Sequence, residues 1–266
     1  MDLTGKRGLV MGVANDRSIA WGIARALAEA GAELAFTYQG EAFGRRLAPL
    51  AESLGSDLTL DVDVTDDAAL DGAFARLAER WGGLDLVVHA IGFSDKSELT
   101  GRFVDTSRAN FLNTMDISCH SLVEVARRAR PLMSTAEGHG GGTILTLSFD
   151  GSRSVMPNYN VMGVAKAALE SAARYLASDL GPEGIRVNVI SPGPMKTLAG
   201  SAIGGARRTF RHAEANAPLG ANATLEAIGG TARWLCSEAG ACTTGEVVHV
   251  DGGYHVMGMP RPENLG

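Results

Sequence analysis

Tyr159 and Lys166, in the run Pro157-Asn158-Tyr159-Asn160-Val161-Met162-Gly163-Val164-Ala165-Lys166, set a phenol and an ammonium seven residues apart. Seven residues make two helical turns. On a helix from Asn158 the two side chains therefore share one stripe, offset by about 10.5 Å at about 1.5 Å per residue. Both are long enough to converge on one bound molecule. A phenol that donates to a developing oxyanion, with a cation nearby to favour charge on oxygen, is what hydride transfer to a carbonyl or enoyl group requires. Helices often carry an unrelated Tyr and Lys on one face, so the surrounding elements must decide what the pair means.

Those elements alternate. Short aliphatic or β-branched runs are followed by longer stretches with apolar residues at helical spacing, the pattern of βαβ units feeding a parallel sheet. Strands are predicted at Gly8 to Met11, Glu33 to Tyr38, Leu58 to Val62, Leu84 to Ala90, Thr143 to Ser148, Arg186 to Ser191 and Glu246 to Val250. Helices are predicted at Ile19 to Ala30, Glu41 to Leu54, Asp66 to Arg80, Arg108 to Met133, Asn158 to Leu180 and Leu225 to Ser237. With 266 residues, 45% of them hydrophobic, the chain suits one α/β domain over 1–266. The expected fold is a single-domain Rossmann-type doubly wound sheet of about seven parallel strands with helices on both faces. The run Gly138-His139-Gly140-Gly141-Gly142 reads as a flexible surface turn.

Composition removes several classes. A formal charge of −6 and a pI near 5.5 argue against a general nucleic-acid or anionic-membrane binder. Cys119, Cys236 and Cys242 are too few and too scattered for a disulfide framework or a metal cluster, and read as buried thiols in a reducing compartment. The N-terminus lacks the apolar stretch of a signal peptide, and no run approaches the ~20 apolar residues of a membrane span. A cytoplasmic enzyme is the expectation.

In a doubly wound sheet, ligands lie beyond the carboxyl ends of the strands. The first such loop, Gly12 to Ala24, does not match G-x-G-x-x-G, yet it holds the physical requirements of a pyrophosphate site. Gly12 permits the turn, Ser18 is an N-cap candidate, the first free helix amides can face a phosphate, and Gly22 lets helix and strand approach closely. A merely structural glycine-rich turn is the alternative.

Six segments carry a more specific signal: Gly12 to Ala24, Ala35 to Gln39, His89 to Phe93, Tyr159 to Lys166, Gly193 to Thr197 and Gly245 to Gly253. Together they resemble the NADH-dependent enoyl-acyl-carrier-protein reductases of the FabI type, within the short-chain dehydrogenase/reductase superfamily, over nearly the whole chain. Ordinary superfamily members place Tyr four residues before Lys, where this chain has Met162. The seven-residue separation is the mark of the enoyl reductases.

The resemblance implies that Tyr159 donates to the thioester oxygen of a trans-2-enoyl substrate and that Lys166 holds the nicotinamide ribose. It implies that Gly12, Ser18 and Ile19 contact the pyrophosphate, Asp63 and Val64 the adenine, Gly92 the adjoining ribose region, and Thr197 the phosphate and nicotinamide side. Gln39 offers a ribose hydroxyl an uncharged partner where a 2′-phosphate would want Arg, so NADH is preferred; Arg45 and Arg46 keep NADPH open. Tyr159, Met162, Ala199, Ile203 and Phe210 would meet the acyl substrate, the last three from a substrate-binding lid at about 196–215.

Arg207, Arg208 and Arg211 would either receive an acidic acyl carrier protein or simply solvate a helix. A homotetramer is implied, with the helices around 108–133 and 158–180 pairing across an interface. The chain also departs from its resemblance. Phe149 stands where many relatives have a second Tyr, so the mechanism would run on one phenol. Gly204-Gly205 and the 218–222 stretch lack charges common in relatives, and the glycine insertion at 138–142 is unusual. These features would also suit another enoyl substrate of specialised metabolism. A carbonyl reductase and a non-catalytic NAD-binding protein are the remaining readings.

Overall fold

Side chains alternate across the strands and sort the apolar residues into two layers. The computed structural model describes residues 1–201 and 204–265. In β1 (Arg7–Met11), Leu9 and Met11 point to one face and Val10 to the other, and all three are buried. The other strands are β2 (Glu33–Tyr38), β3 (Thr59–Asp61), β4 (Leu86–His89), β5 (Gly142–Leu147), β6 (Ile185–Pro192) and β7 (Val247–Val250). Among the described residues they form one parallel sheet in the order β3-β2-β1-β4-β5-β6-β7.

One face carries α3 (Asp67–Trp81), α5 (Ser121–Met133) and α6 (Asn160–Leu180), packed on Leu9, Val87, Ile144 and Val187. The opposite face carries α1 (Ile19–Glu29), α2 (Glu41–Ser53) and α9 (Leu225–Cys236), packed on Val10, Phe36, Val88 and Leu145. Each fully buried aliphatic contributes about 1.5–3 kcal/mol, so the two layers together fix the sheet that presents the loops. The remaining helices are α4 (Arg108–Met115), α7 (Leu198–Ser201) and α8 (Ala206–Asn216). Strand order reverses at β1, which pairs with β2 on one side and β4 on the other, so a crevice opens beyond its carboxyl end.

The structure departs from the sequence expectation at several points, among them α7 and α8, which the periodicity does not predict. The helix predicted across Arg108 to Met133 is interrupted by a π-helical turn at Asp116–His120, a local widening that recurs at functional sites. Helix α6 begins at Asn160 rather than Asn158. The glycine run is not all surface turn, because Gly142 opens β5. Cys119 and Cys236 are buried, but Cys242 is exposed; all three thiols are free.

Candidate active site

Beyond the carboxyl ends of β1, β4, β5 and β6 lies a cavity of about 750 Å³, within the roughly 300–1,000 Å³ usual for small-molecule sites. Its walls include Gly12, Ser18, Ile19, Gly92, Tyr159, Met162, Lys166 and Thr197. Eight residues chosen from sequence for chemistry or binding therefore converge on one space.

Tyr159 and Lys166 reach that space differently from the expected helical stripe. Tyr159 precedes the first residue of α6 and is flanked by Asn158 at φ 60° and Asn160 at φ 36°. These are the non-glycine residues with positive φ among the described residues. Asparagine tolerates that region better than most side chains, though still at a cost of order 1–2 kcal/mol each. The unusual backbone is anchored on both sides. Asn158 Nδ2 donates to Gly204 O at 2.7 Å, and Asn160 Nδ2 reaches Glu98 O at 3.3 Å and Gly101 O at 3.4 Å.

The Tyr159 ring is 7% exposed and meets the Phe149 ring edge-on, centroids 5.1 Å apart. It also lies close to the backbone at Gly151, where an added Cβ would stand 2.4 Å from Tyr159 Cδ1. The phenol makes no hydrogen bond among the described residues, so its donor remains available to a ligand. Burial, reinforced by the Glu170 charge, holds its pKa well above the usual phenol value. It is therefore protonated across the physiological range.

Lys166 is 8% exposed, and its Nζ donates to Leu147 O at 2.8 Å, leaving two N–H bonds for other partners. Burial pulls its pKa down to about 8, against the opposing influence of Cys119 and Glu170. The ammonium is still mostly charged at neutral pH. His89, fully buried at the end of β4, bridges Thr146 Oγ1 (3.0 Å) and Ser121 Oγ (2.8 Å). Burial and then the Lys166 charge depress its pKa to about 3, so it pins the strand end as a neutral ring.

The loop after β1 fits a dinucleotide. Gly12 has φ 92° and lies so close to β4 that a Cβ would sit 2.1 Å from Ala90 O. Ser18 occupies the N-cap position but does not cap the helix: its Oγ accepts from Ala14 N and Asn15 N, both at 3.0 Å. That turns the hydroxyl back into the loop and leaves the Ile19 and Ala20 amides without a partner among the described residues, at the positive end of α1. A Cβ on Gly92 would project toward Lys166 Nζ at 3.6 Å, into the space a ribose would need. Gly22 serves a different contact from the one expected, since a Cβ there would meet Leu225 Cβ of α9 at 2.8 Å rather than a strand.

Gln39, Asp63 and Val64 lie at or just after the carboxyl ends of β2 and β3 and do not line the cavity. Gln39 Nε2 donates to Asp63 Oδ2 at 2.8 Å, and the carboxylate, which also accepts from Thr65 N and Oγ1, is held below the usual Asp range chiefly by Thr65. Val64 packs against the core. Arg45 pairs with Glu41 at 2.9 Å, and Arg46 lies over the Phe43 ring at 5.8 Å. Both arginines are engaged with their own helix.

Phe210 stands outside the cavity wall, because Ala206 and Thr209 face inward from α8 while the Phe210 ring supports Lys196 Nζ at 4.4 Å. Thr197 Oγ1 accepts from Gly200 N at 2.9 Å and so braces α7. Ile203 and the side chain of Ala199 lie outside the described residues.

Sequence reasoning missed Gly151, Ser148 and Glu170. Glu170 carried one available signal, its position four residues after Lys166 on the same helical stripe.

A doubly wound parallel sheet with a buried, undonated phenol and a buried ammonium at its switch point defines a dinucleotide-dependent oxidoreductase. A family model described as Enoyl-(Acyl carrier protein) reductase matches residues 12–255. The chain is 57% identical over 257 residues to "Enoyl-[acyl-carrier-protein] reductase [NADH] 1" of Rhizobium meliloti (strain 1021), covering 97% of this chain and 93% of that relative. The crystal structure of the Anaplasma phagocytophilum reductase in complex with NAD superposes with a TM-score of 0.93 at 54% identity, covering 97% of each chain. The Bacillus cereus reductase, solved with NADP+ and indole naphthyridinone, gives 0.93 at 48% identity, covering 97% of this chain and 100% of that one. The chain belongs to the enoyl-acyl-carrier-protein reductase family.

Proposed function

We propose that this protein reduces the trans-2 double bond of an enoyl thioester carried by acyl carrier protein, with NADH as reductant, in fatty-acid biosynthesis. The observation that carries the reading is the Tyr159 hydroxyl, buried, protonated and undonated on the wall it shares with Lys166. NADH, when bound, supplies the hydride that adds to C3 of the substrate. Tyr159 donates to the thioester oxygen on which negative charge then collects, a hydrogen bond that strengthens as the charge grows. Lys166 contributes positive potential at the same place and offers its remaining N–H bonds to the nicotinamide ribose.

Gly12, the Ser18-braced loop and the Ile19 and Ala20 amides would hold the pyrophosphate. Gly92 and Thr197 would border the nicotinamide half, and the Gln39–Asp63 pair with Val64 the adenosine half. Gln39 lacks the charge a 2′-phosphate would seek, which supports NADH over NADPH. Met162 stands where a carbonyl reductase of the superfamily would need its phenol, so the enoyl reading is preferred.

The proposal includes a single domain over 1–266 in which residues 196–215 cover the acyl end, supported by Thr197, Gly200, Ala206 and Thr209 on the cavity wall. It also includes a cytoplasmic homotetramer. Three free thiols suit a reducing compartment, and exposed Phe103, Val104, Phe111 and Leu112 offer apolar area for a partner subunit. No helix among the described residues is long and apolar enough to cross a membrane.

The test follows nicotinamide absorbance with crotonyl and longer enoyl thioesters. Wild type should oxidise NADH faster than NADPH, and Tyr159→Phe should lose about 10²–10³-fold in kcat while NADH still binds. Turnover of ketones alone, or nucleotide binding without turnover of any enoyl thioester, would refute the reading.

A further inference from the structure

We propose that Glu170 is a positioning residue for the reduction: its buried carboxylate clamps the 148–152 loop that walls Tyr159 and sets a fixed negative charge behind the Tyr159–Lys166 pair. The inference rests on the enoyl-reductase reading and adds a residue to it. Glu170 lies one turn after Lys166 on α6 and is 8% exposed. Ser148 Oγ and Ser152 Oγ both donate to its Oε1, from either end of a short loop.

Between those two serines lie the two surfaces that hold the phenol. Phe149 meets the Tyr159 ring edge-on, and Gly151 lies against its Cδ1 and Cε1 atoms. Gly151 also packs on α6 itself, since a Cβ on Gly163 would stand 2.7 Å from Gly151 O. A carboxylate that grips both ends of the loop thus fixes the wall against the helix that carries Lys166. The two serine hydroxyls give the buried carboxylate hydrogen bonds that its burial demands.

The charge has a consistent effect on both donors. It raises the pKa of the phenol and opposes the loss of the lysine proton, so it keeps both groups in their donating forms. The groups facing Lys166 are Glu170 on its own helix, Cys119 from the π-turn, His89 from β4 and the Leu147 carbonyl from β5. His89 is neutral above about pH 3, and burial pushes the Cys119 thiol above its ordinary range. An alkaline limb in kcat/KM for NADH, which reports the free enzyme, therefore belongs first to Lys166.

Glu170→Gln keeps an oxygen for the two serines and removes the charge. Its alkaline limb should move to lower pH by about half a unit or more, and kcat at neutral pH should fall about 3–10-fold with the KM for the enoyl thioester nearly unchanged. The thermal midpoint should not drop in parallel. The double variant Ser148→Ala with Ser152→Ala loosens the clamp and retains the charge, so kcat should fall while the limb stays in place. A Glu170→Gln enzyme with an unmoved limb and an unchanged kcat overturns the proposal, as does a loss confined to thermal stability. Wild-type turnover of enoyl thioesters is the control. Its absence would sink the enoyl reading itself, a result distinct from an active wild type with an indifferent Glu170→Gln.

Discussion

The block built from β5, β6 and α6 and the segment around α8 border the same cavity with opposite designs. Helix α6 buries Val161, Ala165, Lys166, Leu169, Glu170 and Ala173, and its polar members are tied by hydrogen bonds to β5 and the loop after it. Among the described residues, α8 buries only Ala213 and Asn216, while Arg207, Arg208 and Arg211 are exposed. Proton donors need fixed geometry, and a small misplacement costs rate steeply. On the proposed function, a segment that must let a substrate in and out gains from low local stability.

Lys166→Met should sharpen the contrast most. Activity should fall by about 10²-fold or more, since the site loses its positive charge. Stability should move the other way. The folded pKa of about 8 lies below the ordinary 10.5, so the folded state holds this proton less firmly than the unfolded chain. The burial penalty is fully present below about pH 8 and is relieved as pH rises toward 10.5, so wild type gains stability through that window. The variant should be more stable than wild type at neutral pH by ~2–3 kcal/mol at most, and should lack the alkaline gain when unfolding is followed against pH.

Gly151→Ala probes the wall behind the phenol. The new methyl would overlap Tyr159 Cδ1 and Cε1, at 2.4 and 2.7 Å. We expect about 10–100-fold lower kcat, with NADH affinity preserved in a fluorescence titration. The smallest effect should come from the mouth. Replacing Arg207, Arg208 and Arg211 together by Ala should raise KM for a carrier-protein substrate by about tenfold, more at low salt, and leave coenzyme A thioesters nearly unaffected. Equal losses on both substrates would erase the distinction between the two regions.

How much of this was legible follows the same division. The sheet, its helices and the convergence of Tyr159, Lys166 and Gly12 could be read because periodicity and glycine placement are local properties. The sequence places Tyr159 on the helix because its neighbourhood is helical, whereas two asparagines in a left-handed conformation hold it just before the first turn. Glu170 is marked in the sequence only by its spacing from Lys166, since its burial is set by the loop that folds over it. Ser18 occupies its predicted N-cap position, but the direction of its hydroxyl depends on the loop backbone. Phe210 reads as a pocket wall because it is apolar; its place on α8 turns the ring toward Lys196.

The amides of Asn158 and Asn160 join one short stretch of backbone to Gly204 and to residues 98–101, which are themselves neighbours, since a Cβ on Gly204 would meet Thr100 Cγ2 at 3.1 Å. Any molecule that shifts that patch must work against the placement of the aromatic hydroxyl, and reciprocity makes the hydroxyl's partner act on the patch by the same free energy.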